Sequence, residues 1–280
     1  MKIITLDQIE FSKIVDCFNL SFSDYFIKFV VDEAYLKKRW HGANIHLSLS
    51  AGVLDGEDLV GFIVIGIGER NEKKASYNGG TGVIPSHRGR GYTSKMYEFL
   101  LPKFKSTGVK CHLLEVIQEN VKAIHLYEKA GLKIDRGINS YSGEISFDQK
   151  INKGVQIKEM EELDWKLMNS FHDYIPTWDF SNIAIIRNKN DYQYFGAFQD
   201  GKMVGYAIMK TKDGMVMQFG VNPKLRRKKI GSTLFLYLKN IFPKIKIVNI
   251  DDRNQHVIKF AESLGLVNSI NQFEMVSYLQ

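Results

Sequence analysis

Two cysteines in 280 residues, Cys17 and Cys111, are too few and too far apart for a disulfide framework or a cysteine metal motif. A reducing cytoplasm is the expected compartment, with each thiol a small buried side chain rather than a nucleophile. No stretch approaches the roughly 18 uninterrupted apolar residues of a membrane span. The amino-terminal MKIITLDQIEF lacks the basic segment and apolar run of an export signal, so neither membrane insertion nor export is expected. Nowhere does Gly-Lys-Ser/Thr follow a glycine and four spacers, which excludes a Walker-type phosphate loop.

What is present is the composition of an ordinary globular protein. With 44% hydrophobic and 25% charged residues, the chain is long enough for two domains with sizeable cores. A net charge of +7 admits an anionic cofactor or nucleic acid and requires neither. The run Arg226, Arg227, Lys228, Lys229 is where a nucleic-acid reader would be sought. Its neighbouring aromatics Phe219, Phe235, Tyr237, Phe242 and Phe260 follow strand or helix periodicity, so core positions beside a solvated loop are expected instead.

The chemistry concentrates between Gly79 and Leu100, GGTGVIPSHRGRGYTSKMYEFL: a strand, a basic glycine-rich turn and the start of a helix. Tyr92, Met96, Phe99 and Leu100 give that helix one apolar face. The turn then sits at a helix N-terminus, where backbone N–H groups without intrahelical partners and the helix dipole favour a phosphate. Gly89 and Gly91 allow close approach of the backbone, and Arg88 and Arg90 supply charge. A dinucleotide fingerprint would need a third glycine where Ser94 stands, although Glu115 lies near the distance of its acidic residue.

The stretch resembles the pyrophosphate motif of the GNAT superfamily of acyl-CoA-dependent N-acyltransferases, Arg/Gln-x-x-Gly-x-Gly/Ala after a strand of the form Val-x-Pro. Val83, Pro85, Arg88 and Gly91 fall on the pattern, and Thr93 departs from its last position. A second segment, LLEVIQENVKAIHLYEKAGLK, resembles the one these enzymes carry after the CoA-binding helix. Glu115, Val116, Asn120, Ala123, Leu126, Tyr127, Glu128, Lys129 and Gly131 match, with Leu132 for the usual Phe. The resemblance implies that Arg88, Gly89, Arg90, Gly91, Tyr92 and Thr93 hold the pyrophosphate of acetyl-CoA and that Gly82 and Val83 pair with its pantetheine arm. It further implies that Tyr127 protonates the departing thiolate, Glu115 removes the amine's proton and Asn120 contacts the cofactor.

Each of these residues has a plain structural alternative: a helix N-cap for Asn120, an exposed strand position for Glu115, core packing for Tyr127. His87, His112 and His125 are further acid-base candidates, but spacing gives none a partner and surface positions are expected. No metal is needed, because a thioester is already activated.

The order of elements before residue 150 is α/β: a strand at Ile3 to Leu6, two helical stretches broken at Ser21 to Tyr25, a hairpin over His46 to Gly68, then strand, helix, strand, helix, strand. The second half repeats the first. GFIVI is echoed by GYAIM, GVIPSHRGRGYTSKM by GVNPKLRRKKIGSTL, and ENVKAIHLYEKAGL by RNQHVIKFAESLGL. Two tandem GNAT-like domains are therefore expected, 1–150 and 151–280, each a mixed, mostly antiparallel twisted sheet flanked by helices. In the second, Lys229 stands for Gly91, Asn249 for Glu115 and Ala261 for Tyr127, so catalysis is expected only in the first.

The expected activity is transfer of acetyl from acetyl-CoA to a primary amine in a ternary complex; the alternative is a CoA-binding sensor or scaffold without turnover. Ser21 to Trp40 lies where the family frames its acceptor, with Asp24, Tyr25 and Tyr35 as candidates to receive a cation. Whether the acceptor is a small molecule or a peptide stays open, as does association into a homodimer.

Overall fold

The computed structural model describes residues 1–25, 30–146 and 151–279. Two compact units emerge: Met1–Asp135 with Phe273–Gln280, and Arg136–Gln272. A boundary near 150 would lie outside the described residues, and the units change over between Asp135 and Arg136 instead. The reason is strand pairing, which a polar, glycine-containing stretch does not reveal.

The first unit opens with β1 (Lys2–Thr5), α1 (Phe11–Ser21) and α2 (Glu33–Ala43). Asp32 starts α2 by accepting the Tyr35 N–H at 2.7 Å, and Asn44 ends it in a left-handed conformation. There follow β2 (Ala51–Asp55), β3 (Asp58–Arg70), β4 (Lys73–Val83), α3 (Tyr92–Ser106), β5 (Cys111–Ile117) and α4 (Val121–Lys129).

Strands β1 to β4 pair antiparallel in order, and β5 joins β4 in parallel. The apolar run in β3 is continuous because both faces are covered. Ile63 and Ile65 meet Met96, Leu100 and Phe104 of α3, while Phe62 and Val64 meet Ile14 and Phe18 of α1. All four β3 side chains are fully buried, each contributing about 1.5–3 kcal/mol of hydrophobic stabilisation.

Two irregularities shape the end of this sheet. Ile65 faces Asn78 and Val64 faces Gly80, which leaves Gly79 as a bulge in β4. Parallel pairing between β4 and β5 covers only Ala75–Tyr77 and Cys111–Leu113, so the far halves of the two strands part. The final residues of the chain complete this unit: Phe273 and Met275 join its core, and Arg70 pairs with the buried Glu274 and, at 3.1 Å, with Asp135.

The strand after α4, β6 (Lys133–Gly143), supplies residues from Arg136 onward to the second unit, pairing Ile138 with Asp251 and Asn139 with Ile250. That unit continues with β7 (Gln156–Glu159), α5 (Trp165–Asn169), α6 (Asn182–Arg187), β8 (Tyr192–Gln199), β9 (Lys202–Lys210) and β10 (Met215–Val221). Then come α7 (Ile230–Lys239), β11 (Ile245–Asp251), α8 (Gln255–Ser263) and β12 (Val267–Tyr278), whose last residues are those returned to the first unit.

Antiparallel β8–β9–β10, a short parallel β10–β11 pairing and helices between them repeat the plan of the first unit. The bulge recurs too: Val216 faces Met209 and Gln218 faces Ile208, so Met217 takes the place of Gly79. Among the described residues no helix is long and apolar enough to cross a membrane.

Candidate functional site

The turn expected to hold a phosphate sits where the sequence puts it, between β4 and α3. Gly91 is the N-cap of α3 and, like Gly89, takes a left-handed backbone, φ 72° and 77°. A Cβ at either would meet nothing within 4 Å, so glycine is there for conformation and the space above the turn is open. The first hydrogen bond of the helix is Lys95 N–H to Gly91 C=O, and the amides of residues 89–94 have no protein acceptor among the described residues. Bare amides at a helix N-terminus, with open space over two glycines, fit an anionic diphosphate.

Arg88 is placed differently from the sequence expectation. Its guanidinium grips Asp24 with two hydrogen bonds of 2.6 and 2.7 Å, donates to the Ser21 carbonyl at 2.9 Å and to the Val83 carbonyl at 3.1 Å. The pairing raises the pKa of Arg88 and lowers that of Asp24. Its charge is thus matched within the protein, and Asp24, a candidate to receive an acceptor cation, already holds one. Arg90 stays exposed, donating to the Ser86 carbonyl at 3.2 Å, and is the cation left to face the turn. Of the neighbouring amides, Tyr92 and Thr93 contribute backbone only, since both side chains are buried.

Gly82 pairs with Phe62 and Val83 with Gly61 on one side of β4, while their other edge lies in the part of the strand that β5 does not pair. A Cβ at Gly82 would lie 2.7 Å from that of Ser21 and 2.8 Å from the Phe62 ring, so only glycine lets α1 come this close.

Tyr127 projects from α4 into the core beside Tyr97, with ring centres 6.3 Å apart. Burial raises its pKa to about 12, with the Thr81 side chain opposing the shift. It therefore keeps its proton at neutral pH, as a general acid must. Glu115 leaves the other face of β5, since its neighbours Leu114 and Val116 pack in the α3 cluster, and it accepts a hydrogen bond from the Tyr77 phenol. The structure therefore puts Glu115 and Tyr127 on opposite faces of the sheet. Asn120 is an N-cap, its Oδ1 accepting from Ala123 N–H at 3.3 Å. Tyr35 is exposed, and residues 26–29 of the expected acceptor segment lie outside the described residues.

One histidine expectation is overturned. His112 is 1% exposed, because it points from β5 toward α3, where Ser76 Oγ lies 2.8 Å from Nδ1 and Tyr97 Oη 3.4 Å from Nε2. Burial pushes its pKa down to about 3, so it is neutral. His87 meets Asp55 at 3.1 Å and His125 is exposed near Glu128. Both cysteines are buried and free, and burial lifts the Cys17 thiol to about 12.

The bulged strand β4 contributes two residues that sequence reading passed over, Asn78 and Thr81. Asn78 Nδ2 donates to Thr81 Oγ1 at 2.7 Å and to Tyr97 Oη at 2.8 Å. The signal was Asn-Gly-Gly inside an otherwise strand-like run, which marks a bulge.

A helix-capping glycine-rich turn, a bulged strand and a parting strand pair occur together here, and the model of the acetyltransferase (GNAT) family matches residues 14–132 and again 157–266. The chain belongs to the GNAT family. Its fold is that of two tandem GNAT domains. It is similar over 99% of its length, at 12% identity and a TM-score of 0.73, to a tandem GNAT protein from the clavulanic acid biosynthesis pathway, 98% of which is covered. It also resembles a putative acetyltransferase from Pyrococcus horikoshii (12% identity, TM-score 0.67, 100% of this chain and 89% of that one). A third match is a GCN5-related N-acetyltransferase from Sphaerobacter thermophilus (12%, 0.68, 95% and 91%). At these identities the likeness speaks to the fold alone. No curated protein matches the chain.

The second GNAT domain holds its arginine in the same way. Arg226 pairs with Asp173 at 2.6 Å and donates to the carbonyls of Phe171 at 3.3 Å and Val221 at 3.2 Å. The segments that supply the carboxylates are themselves repeats, Ser21-Phe22-Ser23-Asp24-Tyr25 and Ser170-Phe171-His172-Asp173-Tyr174.

Proposed function

We propose that the first unit transfers the acetyl group of acetyl-CoA to a primary amine, and that the second unit is non-catalytic. The observation that carries this reading is the set of unpartnered amides at residues 89–94, opening on the side of the sheet where Tyr127 is buried with its proton. Those amides and Arg90 hold the diphosphate, and the free edge of β4 at Gly82 and Val83 aligns the pantetheine arm. The amine nitrogen attacks the thioester carbon. As the C–N bond forms and the C–S bond breaks, the electron pair leaves with sulfur, Tyr127 gives sulfur its proton, and Glu115 accepts the proton released by the amine. Tyr127 then regains a proton from solvent. A backbone N–H beside the carbonyl stabilises the oxyanion.

A screen of amines with acetyl-CoA, followed by release of free thiol, tests the reading. With a productive amine, Tyr127→Phe lowers kcat at least about 100-fold and Glu115→Gln lowers it similarly, while calorimetric affinity for CoA stays within about threefold. CoA binding with no turnover on any amine, or turnover unchanged in both variants, would leave a CoA sensor as the better account.

A further inference from the structure

We propose that Tyr77 is a positioning residue that holds the Glu115 carboxylate, ionised and in one orientation, where β4 and β5 begin to part. This rests on the acetyl-transfer reading above, in which Glu115 takes the proton released by the amine. Asn78 reaches Tyr97 of α3, so Tyr77, next to it on β4, leaves the opposite face of the sheet. Glu115 leaves that same face from β5, because Leu114 and Val116 on either side of it pack in the α3 cluster. There the two meet, and the Tyr77 hydroxyl donates to Oε2 of Glu115.

The register puts this bond at the opening. Tyr77 faces Leu113 and is the last residue of β4 in the parallel ladder. Glu115 is two residues further along β5, the next position on the same face, and β4 has by then entered its bulge at Gly79. The side chains thus meet where the backbone ladder has ended. Glycine at the bulge leaves room for the ring: a Cβ at Gly79 would lie 3.6 Å from the Tyr77 ring and 2.9 Å from the Ile45 side chain.

A carboxylate can only accept and a phenol O–H can donate, so the direction of the bond is fixed. Tyr77 is 4% exposed and Glu115 half-buried. In such surroundings a charge-assisted O–H···O bond is about twice as strong as a neutral one and favours the ionised carboxylate, the form that can accept a proton. Tyr77 keeps its own proton throughout, and the amine's proton passes to Glu115.

The second domain lacks both partners. The ladder of β9 with β10 matches that of β3 with β4 pair for pair across the bulge, so Val216 stands for Asn78 and Met215, before it, for Tyr77. Met215 joins the apolar cluster of Tyr206 and Ile208. Asn249, in the place of Glu115, donates instead to Thr177 Oγ1 at 2.8 Å from a left-handed backbone, φ 56°. The carboxylate and its donor are lost together while the fold remains.

The test uses Tyr77→Phe, which keeps the ring and removes the donor. With an amine that supports turnover, kcat falls about tenfold while KM for acetyl-CoA and for the amine stays within about twofold. In a Glu115→Gln background the same change causes no further loss beyond about twofold, because it acts only through the carboxylate. Losses that add, or a raised KM with kcat unchanged, overturn the proposal, since the hydroxyl then touches substrate or only supports the fold.

Independently of turnover, NMR reads both ends of the bond. With glutamate labelled at Cδ, the Glu115 signal, identified by its absence in Glu115→Gln, moves in Tyr77→Phe. With tyrosine labelled at Cζ, the Tyr77 signal, identified by its absence in Tyr77→Phe, moves in Glu115→Gln. Tyr77→Met, the residue of the second domain, takes the place of Tyr77→Phe should that variant not fold. Signals unmoved at both ends overturn the proposal. Moved signals in a protein that acetylates no amine support the pair and overturn only the activity assigned to it.

Discussion

The turns at Arg88 and Arg226 have the same backbone and the same anchor, and differ in the residues at their left-handed positions. Arg227 and Lys229 keep the left-handed φ of Gly89 and Gly91, 65° and 61° against 77° and 72°. A side chain in that conformation costs about 1–2 kcal/mol. In both units the arginine binds a carboxylate from the segment after the first helical stretch, and the carbonyl five residues behind it. In the second, Asn152 reaches the helix start from outside the turn. Asn152 donates its N–H to Thr233 Oγ1 at 2.8 Å and its side-chain amide to the Lys228 carbonyl at 2.9 Å. The motif arginine is therefore a tether for the fold, present whether or not the neighbouring amides are available. Glycine against a side chain at the two left-handed positions, and Tyr127 against Ala261, are what separate the two units.

Three changes break or sharpen this comparison. The largest effect comes from His112, for which the second unit has Lys246. The folded-state pKa is about 3 against an ordinary 6.5, so as pH falls below 6.5 the unfolded chain takes up a proton that the folded chain refuses. Stability is complete above 6.5 and declines by about 1.4 kcal/mol per pH unit toward 3. Denaturant unfolding at pH 7, 6, 5 and 4 should show this slope in the parent and its loss in His112→Gln; equal slopes would mean that the ring is hydrated. Next is Gly91→Lys, which writes the second turn into the first. Strain of about 1–2 kcal/mol and a side chain beside the amides should weaken CoA binding about tenfold by calorimetry, and unchanged affinity would remove the turn from the site. The smallest effect is that of Lys229→Gly, expected to stabilise the second unit by about 1 kcal/mol, a Tm rise of about 2–4 °C, without creating CoA affinity, since Arg227 still stands at the position of Gly89. Gain of CoA binding in that variant would show the lysine alone to be the barrier.

Much of the first unit can be read from local pattern. Asn120 before an amphipathic stretch and Gly131 after it bound α4, and Gly131 has the positive φ, 89°, of a helix stop. Alternation could not show that Glu274 and Met275 at the end of the chain belong with Arg70 and the first core, because a strand with one buried face has the same sequence in either sheet. His112 looked like any polar strand residue; only the positions of Ser76, 36 residues before it, and Tyr97 on α3 explain why it can be buried neutral.

By itself the sequence determined the glycine-rich turn, the helix ends, the duplication and the family, because each depends on residues close together in the chain and on the torsion angles they favour. Tertiary structure alone decided that Arg88 grips Asp24, 64 residues away, that Asn78 reaches Tyr97 on α3, and that His112 is buried between Ser76 and Tyr97. Hydrogen bonds and ion pairs act over about 3 Å, so a partner is chosen by where the fold brings it and not by its distance along the chain.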